Sequence, residues 1–223
     1  MERRIEQELE SLKGLLLTMA GEVEQQLALA VRAVVERDDA AASAVIAGDA
    51  GIDQREIEVD RRIIELIVRE RPLARDLRLV ITAGKIAPDL ERVADHAVNI
   101  AEQALLLNRQ PPLKPFLIMP RMARVASGMV RDAISAFVNG DAAAARRVVA
   151  QDDVVDAMHE EIFRELLTYM MEDARTIPRA LALLLIARSL ERVADQATNI
   201  SEQVVYLEEG EDIRHQRPEG SRA

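Results

Sequence analysis

Apolar positions set the reading. Leu79, Ala83, Ile86, Leu90, Val93, Ala97, Ile100, Ala104 and Leu107 follow one another at alternating spacings of three and four, and so do Leu183, Ile186, Leu190, Val193, Ala197, Ile200, Val204 and Leu207. This is the coiled-coil-like stripe of helices that bury one side against their neighbours. Local stop and start signals cut the rest of the chain. A first helix runs from about Ile5 to Val35. A second follows Arg37-Asp38-Asp39, where an aspartate caps it, and ends near Arg71-Pro72. Proline at a first helical position opens the third, which runs to about Asn108. The stretch Arg109 to Pro115 holds Pro111, Pro112 and Pro115 and cannot be helical throughout. A fourth helix spans about Leu117 to Val138 and stops at Asn139-Gly140. Asp141 caps a fifth that lasts to about Met171, and Pro178 opens a sixth that ends near Glu209-Gly210.

The chain is written twice. Residues 90–103 read LERVADHAVNIAEQ and residues 190–203 read LERVADQATNISEQ. A weaker match precedes it, with Asp49, Ile52, Asp53, Val59 and Arg61 answering to Asp152, Val155, Asp156, Ile162 and Arg164. The expected fold is therefore all-α, as two tandem, pseudo-symmetric three-helix bundles of six long helices. The first bundle covers residues 1–108, a proline-rich linker 109–116, the second bundle 117–210 and a loose tail 211–223. Pro88 lies inside the third helix, where the other half has Arg188. An interior proline loses a hydrogen bond and crowds the carbonyl four residues back, so a kink or π-type distortion is expected just before Glu91.

Composition narrows the chemistry. Nearly half of the 223 residues (49%) are hydrophobic but only 2% are aromatic, so Ala, Leu, Ile and Val must form the core. There is no Cys, which excludes disulfides, thiolate metal sites and Cys nucleophiles. The formal charge of −10 with few aromatics opposes nucleic-acid binding, and suits cations or basic patches on partner proteins. The charged start Met1-Glu2-Arg3-Arg4 does not read as a signal peptide, and the longest apolar run, Ala180 to Ala187, is far too short to span a membrane. A soluble, cytoplasmic protein is expected.

The candidate chemistry is carboxylate. Glu91 and Asp95 lie four apart on one helix face, with Arg92 and Asn99, turned away from the stripe; Glu191, Arg192, Asp195 and Asn199 repeat them. Packing explains why the buried residues recur in both halves, but not why these do. Asp49/Asp53 and Asp152/Asp156 carry the same spacing on the second helix of each half. If that helix lies beside the third, four carboxylates meet on one surface of each bundle, a donor set for Mg²⁺, Mn²⁺, Fe or similar hard cations. The plainer alternative is a solvated acidic face with Arg92 and Arg192 as ion-pair partners. A ferritin-like di-metal oxidase needs Glu-x-x-His on core-facing helices. The chain has none; Asp156-x-x-His159 is the nearest, and Glu56 stands where His159 would be in the other half. His159 is expected to make an interhelix hydrogen bond. His96 borders the stripe and is replaced by Gln196. There is no Gly-rich phosphate loop, nucleophile elbow or triad, and no direct phosphate site is visible.

The Leu90–Glu102 stretch, its copy at 190–202, the segment Arg71-Pro72-Leu73-Ala74-Arg75-Asp76-Leu77-Arg78 and the closing Gly210-Glu211-Asp212-Ile213-Arg214-His215 resemble the PhoU family of phosphate-uptake regulators. The resemblance extends over nearly the whole chain. It implies two three-helix bundles and a non-enzymatic role between the phosphate ABC transporter ATPase and its sensor histidine kinase, keeping the phosphate-starvation response off when phosphate is plentiful. Contact with the membrane would be peripheral and through partners, and homodimers are an open expectation. It also implies metal (Mg, Mn, Fe or Zn) on the outer acidic motifs. Carried over by position, the ligands are Glu91, Asp95, Glu191 and Asp195, with Asp49, Asp53, Asp152 and Asp156 opposite and Asn99 and Asn199 in support. Pro88 departs from the family's usual polar residue. The alternatives are a carboxylate-based metal-storing or metal-dependent enzyme, and a regulator of a different permease.

Overall fold

The structure, a computed structural model, describes residues 2–113 and 118–213. Positions 114–117, the end of the expected linker and the expected fourth-helix start at Leu117, and the tail positions 214–223, including Arg214 and His215, lie outside the described residues. Among the described residues seven α-helices follow in order: α1 (Glu2–Val35), α2 (Asp39–Glu70), α3 (Ala74–Asn108), α4 (Met119–Asn139), α5 (Ala142–Val149), α6 (Asp152–Glu172) and α7 (Ile177–Glu209), with a 3-10 turn (Ala174–Thr176) ahead of α7. There is no strand among the described residues. None of these helices is long and apolar enough to cross a membrane.

α1, α2 and α3 pack on one another, and α4, α5 and α6 pack on α7, so the two expected bundles are present. They lie against each other: α3 and α7 form the most extensive interface in the molecule, and α1 meets α4 beside it. Every residue of the two predicted stripes is buried. A second set of small residues is buried with them, Ala87, Ala94 and Ala101 on α3 and Ala187, Ala194 and Ser201 on α7. These helices touch neighbours on more than one side, so one apolar stripe does not suffice for either. Each fully buried Leu or Ile contributes about 1.5–3 kcal/mol, and the core they form runs through both halves.

Helix ends follow local chemistry. Asp38 Oδ1 accepts from the Ala41 N–H at 2.9 Å and caps α2. Gly140, at φ 64°, closes α4, and Asp141 Oδ1 accepts from the Ala144 N–H at 2.8 Å to open α5. Pro178 sits in the first turn of α7, and Gly210, at φ 72°, ends it. Three expectations need correction. Pro72 does not open α3. Arg71, at φ 50°, is the left-handed C-cap of α2, and Leu73 is the extended N-cap of a helix that begins at Ala74. Pro72 is thus a stop for α2, since proline cannot continue a helix past its cap. The fifth predicted helix is two. Ala150 and Gln151 turn between α5 and α6, with the Gln151 N–H donating to Val148 O at 2.9 Å. Asp152 and Asp153 then occupy the first turn of α6, where negative charge meets the positive end of the helix dipole. Finally, of the kink or π-type distortion expected before Glu91, the π form is absent, since α3 stays α-helical through Pro88.

Two ties cross between the bundles near the start of α3. Arg75 Nη2 donates to both carboxylate oxygens of Glu208 at 2.8 Å, and Arg78 Nε donates to Leu207 O at 3.3 Å.

Candidate functional site

α2 packs on α3, and α6 on α7, which carries each aspartate pair of the second helix toward the motif of the third. Ile52 and Val59 on α2, and Val155 and Ile162 on α6, are buried and fix the rotation of each helix. The acids beside them are left on the shoulders of the contact.

In the first half the result is one electrostatic cluster. Burial raises the Glu91 pKa to about 6, with Asp95, Glu56, Asp53 and Asp49 adding to the rise. Asp49 is raised by burial and then by Asp53 and Asp95. Glu56 is raised by burial and then by Asp60 and Asp53, and Arg92 pulls it down. Asp53 and Asp95 are exposed, whereas Glu91 is half-buried rather than turned fully to solvent. In the second half, burial raises Asp152 to about 6, with Asp156 and Asp195 adding to the rise and Thr198 acting in the opposite sense. Asp156 is raised by burial and then by Glu191 and Asp195. Asp152 Oδ1 and Thr198 Oγ1 are both buried, and the Thr198 hydroxyl faces the Asp152 carboxyl.

All eight predicted carboxylates therefore lie within electrostatic range of others of their set, four to each half. Glu56 joins the first cluster and was missed as a member; its place three residues after Asp53, on the same face, was the available signal. The two asparagines stand differently. Asn99 lines a cleft between α3 and α7, and Asn199 donates to Gln196 Oε1 at 3.4 Å; neither bonds to a carboxylate of the clusters. The arginines are only partly ion-pair partners of the motif. Arg192 Nη1 holds Asp195 Oδ2 at 2.7 Å, but Arg92 Nη1 reaches back to Asp89 Oδ1 at 3.1 Å. His159 makes no hydrogen bond among the described residues, contrary to expectation; it lies near enough to Asp156 to lower that pKa.

The donor chemistry suits a hard cation. The clustered groups are carboxylates, and the raised pKa values of Asp49, Glu91, Asp152 and Asp156 record desolvation and mutual crowding that a cation would relieve. In the present side-chain arrangement, no group of three or more Asp, Glu or His residues converges to hold a metal ion among the described residues. Coordination therefore requires rotation of the exposed Asp53, Asp95 or Asp156 side chains, and release of Asp195 by Arg192.

Known proteins share the fold across both halves. The family model of the PhoU domain matches residues 16–104 and again 119–204, one match to each bundle. The chain is 40% identical over 209 residues to the phosphate-specific transport system accessory protein PhoU homolog of Aquifex aeolicus (strain VF5), covering 94% of this chain and 95% of that one. It is 39% identical over 208 residues to the PhoU protein of Escherichia coli (strain K12), covering 93% and 86%. The crystal structure of PhoU from Pseudomonas aeruginosa superposes with a TM-score of 0.89 at 38% identity, over 92% of this chain and 99% of that one.

Proposed function

This chain belongs to the PhoU family, and on that basis we propose that it is a cytoplasmic, non-enzymatic adaptor that restrains the phosphate-starvation response. Its partners in this reading are the ATPase of the phosphate ABC transporter and the sensor histidine kinase. The observation that carries it is the extent of the match, which runs through both bundles and most of the length of relatives named as accessory proteins of phosphate transport. The acidic faces support it. They lie on the shoulders of the α2–α3 and α6–α7 contacts, where a partner has access, and not in a closed cavity of the kind a ferritin-like oxidase needs. Glu91, Asp95, Asp49 and Asp53 would hold a cation on one face, and Glu191, Asp195, Asp152 and Asp156 on the other. A bound cation supplies charge neutralisation and open coordination positions for a partner's oxygen ligands.

The test is a tagged pull-down from cells grown with ample or scarce phosphate, read by mass spectrometry. Recovery of the transporter ATPase or the kinase, lost when Glu91, Asp95, Glu191 and Asp195 are all replaced by Ala, is the expected result. Recovery of neither partner in either condition overturns the adaptor reading.

A further inference from the structure

A cleft of about 420 Å³ opens between α3 and α7, lined by His96, Asn99 and Gln103 from the first and by Arg188, Ser189 and Arg192 from the second, with Leu185 as an apolar wall. No acid lines it. Arg188 makes no ion pair or hydrogen bond among the described residues. Arg192 spends one nitrogen on Asp195 and keeps further N–H donors free. His96 Nδ1 is buried without a partner.

The duplication provides an internal comparison. The positions equivalent to this lining are Gln196, Asn199 and Gln203 on α7 and Lys85, Pro88, Asp89 and Arg92 on α3. There the charges are answered from within. The Asp89 carboxylate, 7% exposed as a residue, pairs with Arg92 at 3.1 Å. Lys85 Nζ lies 5.4 Å from the ring centre of Tyr206, and Asn199 donates to Gln196. Pro88 offers no donor. The cleft differs at four of these positions: Ser189 stands in place of the buried acid, Arg188 in place of the proline, His96 in place of Gln196 and Leu185 in place of Lys85. The first two remove a negative charge and add a positive one with a planar fork of donors, and Leu185 withdraws one positive charge, so the cleft is the more positive of the two by about one charge, with no acid in its lining.

We propose that this cleft binds a small tetrahedral oxyanion with the chemistry of inorganic phosphate. Arg188 is the principal cation, Arg192 a second, and Ser189, Asn99 and Gln103 are hydrogen-bond donors. A guanidinium suits this ligand because its paired N–H groups match two oxygens of one anion. Asp95 and Asp195 are both within electrostatic reach of His96 and oppose the anion, so affinity depends on the directed donors more than on a broad positive field. The proposal rests on the cleft alone, and its failure would leave the adaptor reading untouched.

The experiment is isothermal titration of the full-length, chelator-treated protein with inorganic phosphate at constant ionic strength. Chelation keeps phosphate bound through metals on the acidic faces out of the measurement. Saturable binding at one site is expected, with sulfate competing and chloride not. Arg188→Gln, a change at an exposed side chain, should weaken it by about tenfold or more while leaving the unliganded melting temperature unchanged. Ser189→Asp, which installs the acid of the other half, should abolish it. Absence of saturable binding, equal competition by chloride, or undiminished binding in Arg188→Gln overturns the proposal.

Discussion

Arg37 Nη2 lies 2.7 Å from the carbonyl oxygen of Asn108, and the same nitrogen reaches Leu107 O at 3.1 Å and Gln110 O at 2.6 Å. The corner between α1 and α2 thereby closes the carboxy-terminal end of α3, where unpaired carbonyls and the negative end of the dipole favour a cation. Arg37→Ala should cost about 1–2 kcal/mol and lower the melting temperature by about 2–8 °C. Thermal unfolding followed by circular dichroism measures it, and an unchanged melt would show that water replaces the guanidinium without loss.

Gly140 is constrained twice. Its φ of 64° is a left-handed conformation, and an added Cβ would meet Glu208 Oε1 at 2.9 Å. Gly140→Ala should destabilise by about 1 kcal/mol or more from the backbone alone. The crowding adds to this and disturbs the Arg75–Glu208 pair. Denaturant unfolding measures it, and an unchanged midpoint would contradict the backbone cost.

The acidic clusters set a pH dependence. Asp152 is raised from an ordinary 3.8 to about 6, first by burial and then by Asp156 and Asp195. A folded-state pKa above the unfolded one means that the folded chain binds the proton more tightly. The associated stability is complete below about pH 4 and is lost as pH rises through about 6. Asp152→Asn should match the wild type near pH 4 and be the more stable protein at pH 7.5. Solvent screening keeps the gain to about 1 kcal/mol, or about 2–4 °C. Urea unfolding at the two pH values checks the sign; equal stability of the two proteins at pH 7.5 would contradict it.

Cations should act at the same place by a different route. Mn²⁺ or Mg²⁺ bound only to the folded chain raises its melting temperature, by the equivalent of about 2.7 kcal/mol at a hundredfold excess over Kd. Replacing Glu91 and Asp95 by Ala should reduce the shift, and replacing Glu191 and Asp195 as well should remove it. Scanning fluorimetry across a divalent series is sufficient, and a shift that survives all four substitutions would place the metal elsewhere.

What the sequence disclosed depended on how local the cause was. Asn139-Gly140, Asp141 and Glu209-Gly210 end or start helices through their own backbone and side-chain chemistry, and the structure places those ends where the residues indicate. The buried stripes were legible for the same reason, since periodicity is a property of one helix. The break at Ala150-Gln151 was not, because neither residue carries a stop signal. Pro72 is ambiguous in the sequence, because a proline beside a boundary marks either the end of one element or the start of the next. For the site, the aspartate pairs and the Glu91/Asp95 motif were visible through repetition. Glu56 was not, because membership in the cluster depends on how α2 lies on α3. The cleft was wholly illegible: His96 and Arg188 are far apart in sequence, and only the α3–α7 register sets them on opposite walls.

That register has a mechanical consequence. The helices that carry the two motifs are also the helices that join the halves, so each acidic face is mounted on the joint itself. His96 senses both Asp95 and Asp195, which places the two faces within electrostatic range of a single side chain. If a partner docks on the acidic faces as proposed, the α3–α7 register sets the separation of its two contacts, and a partner with the matching separation gains the second without the loss of freedom that a floppy tether would impose.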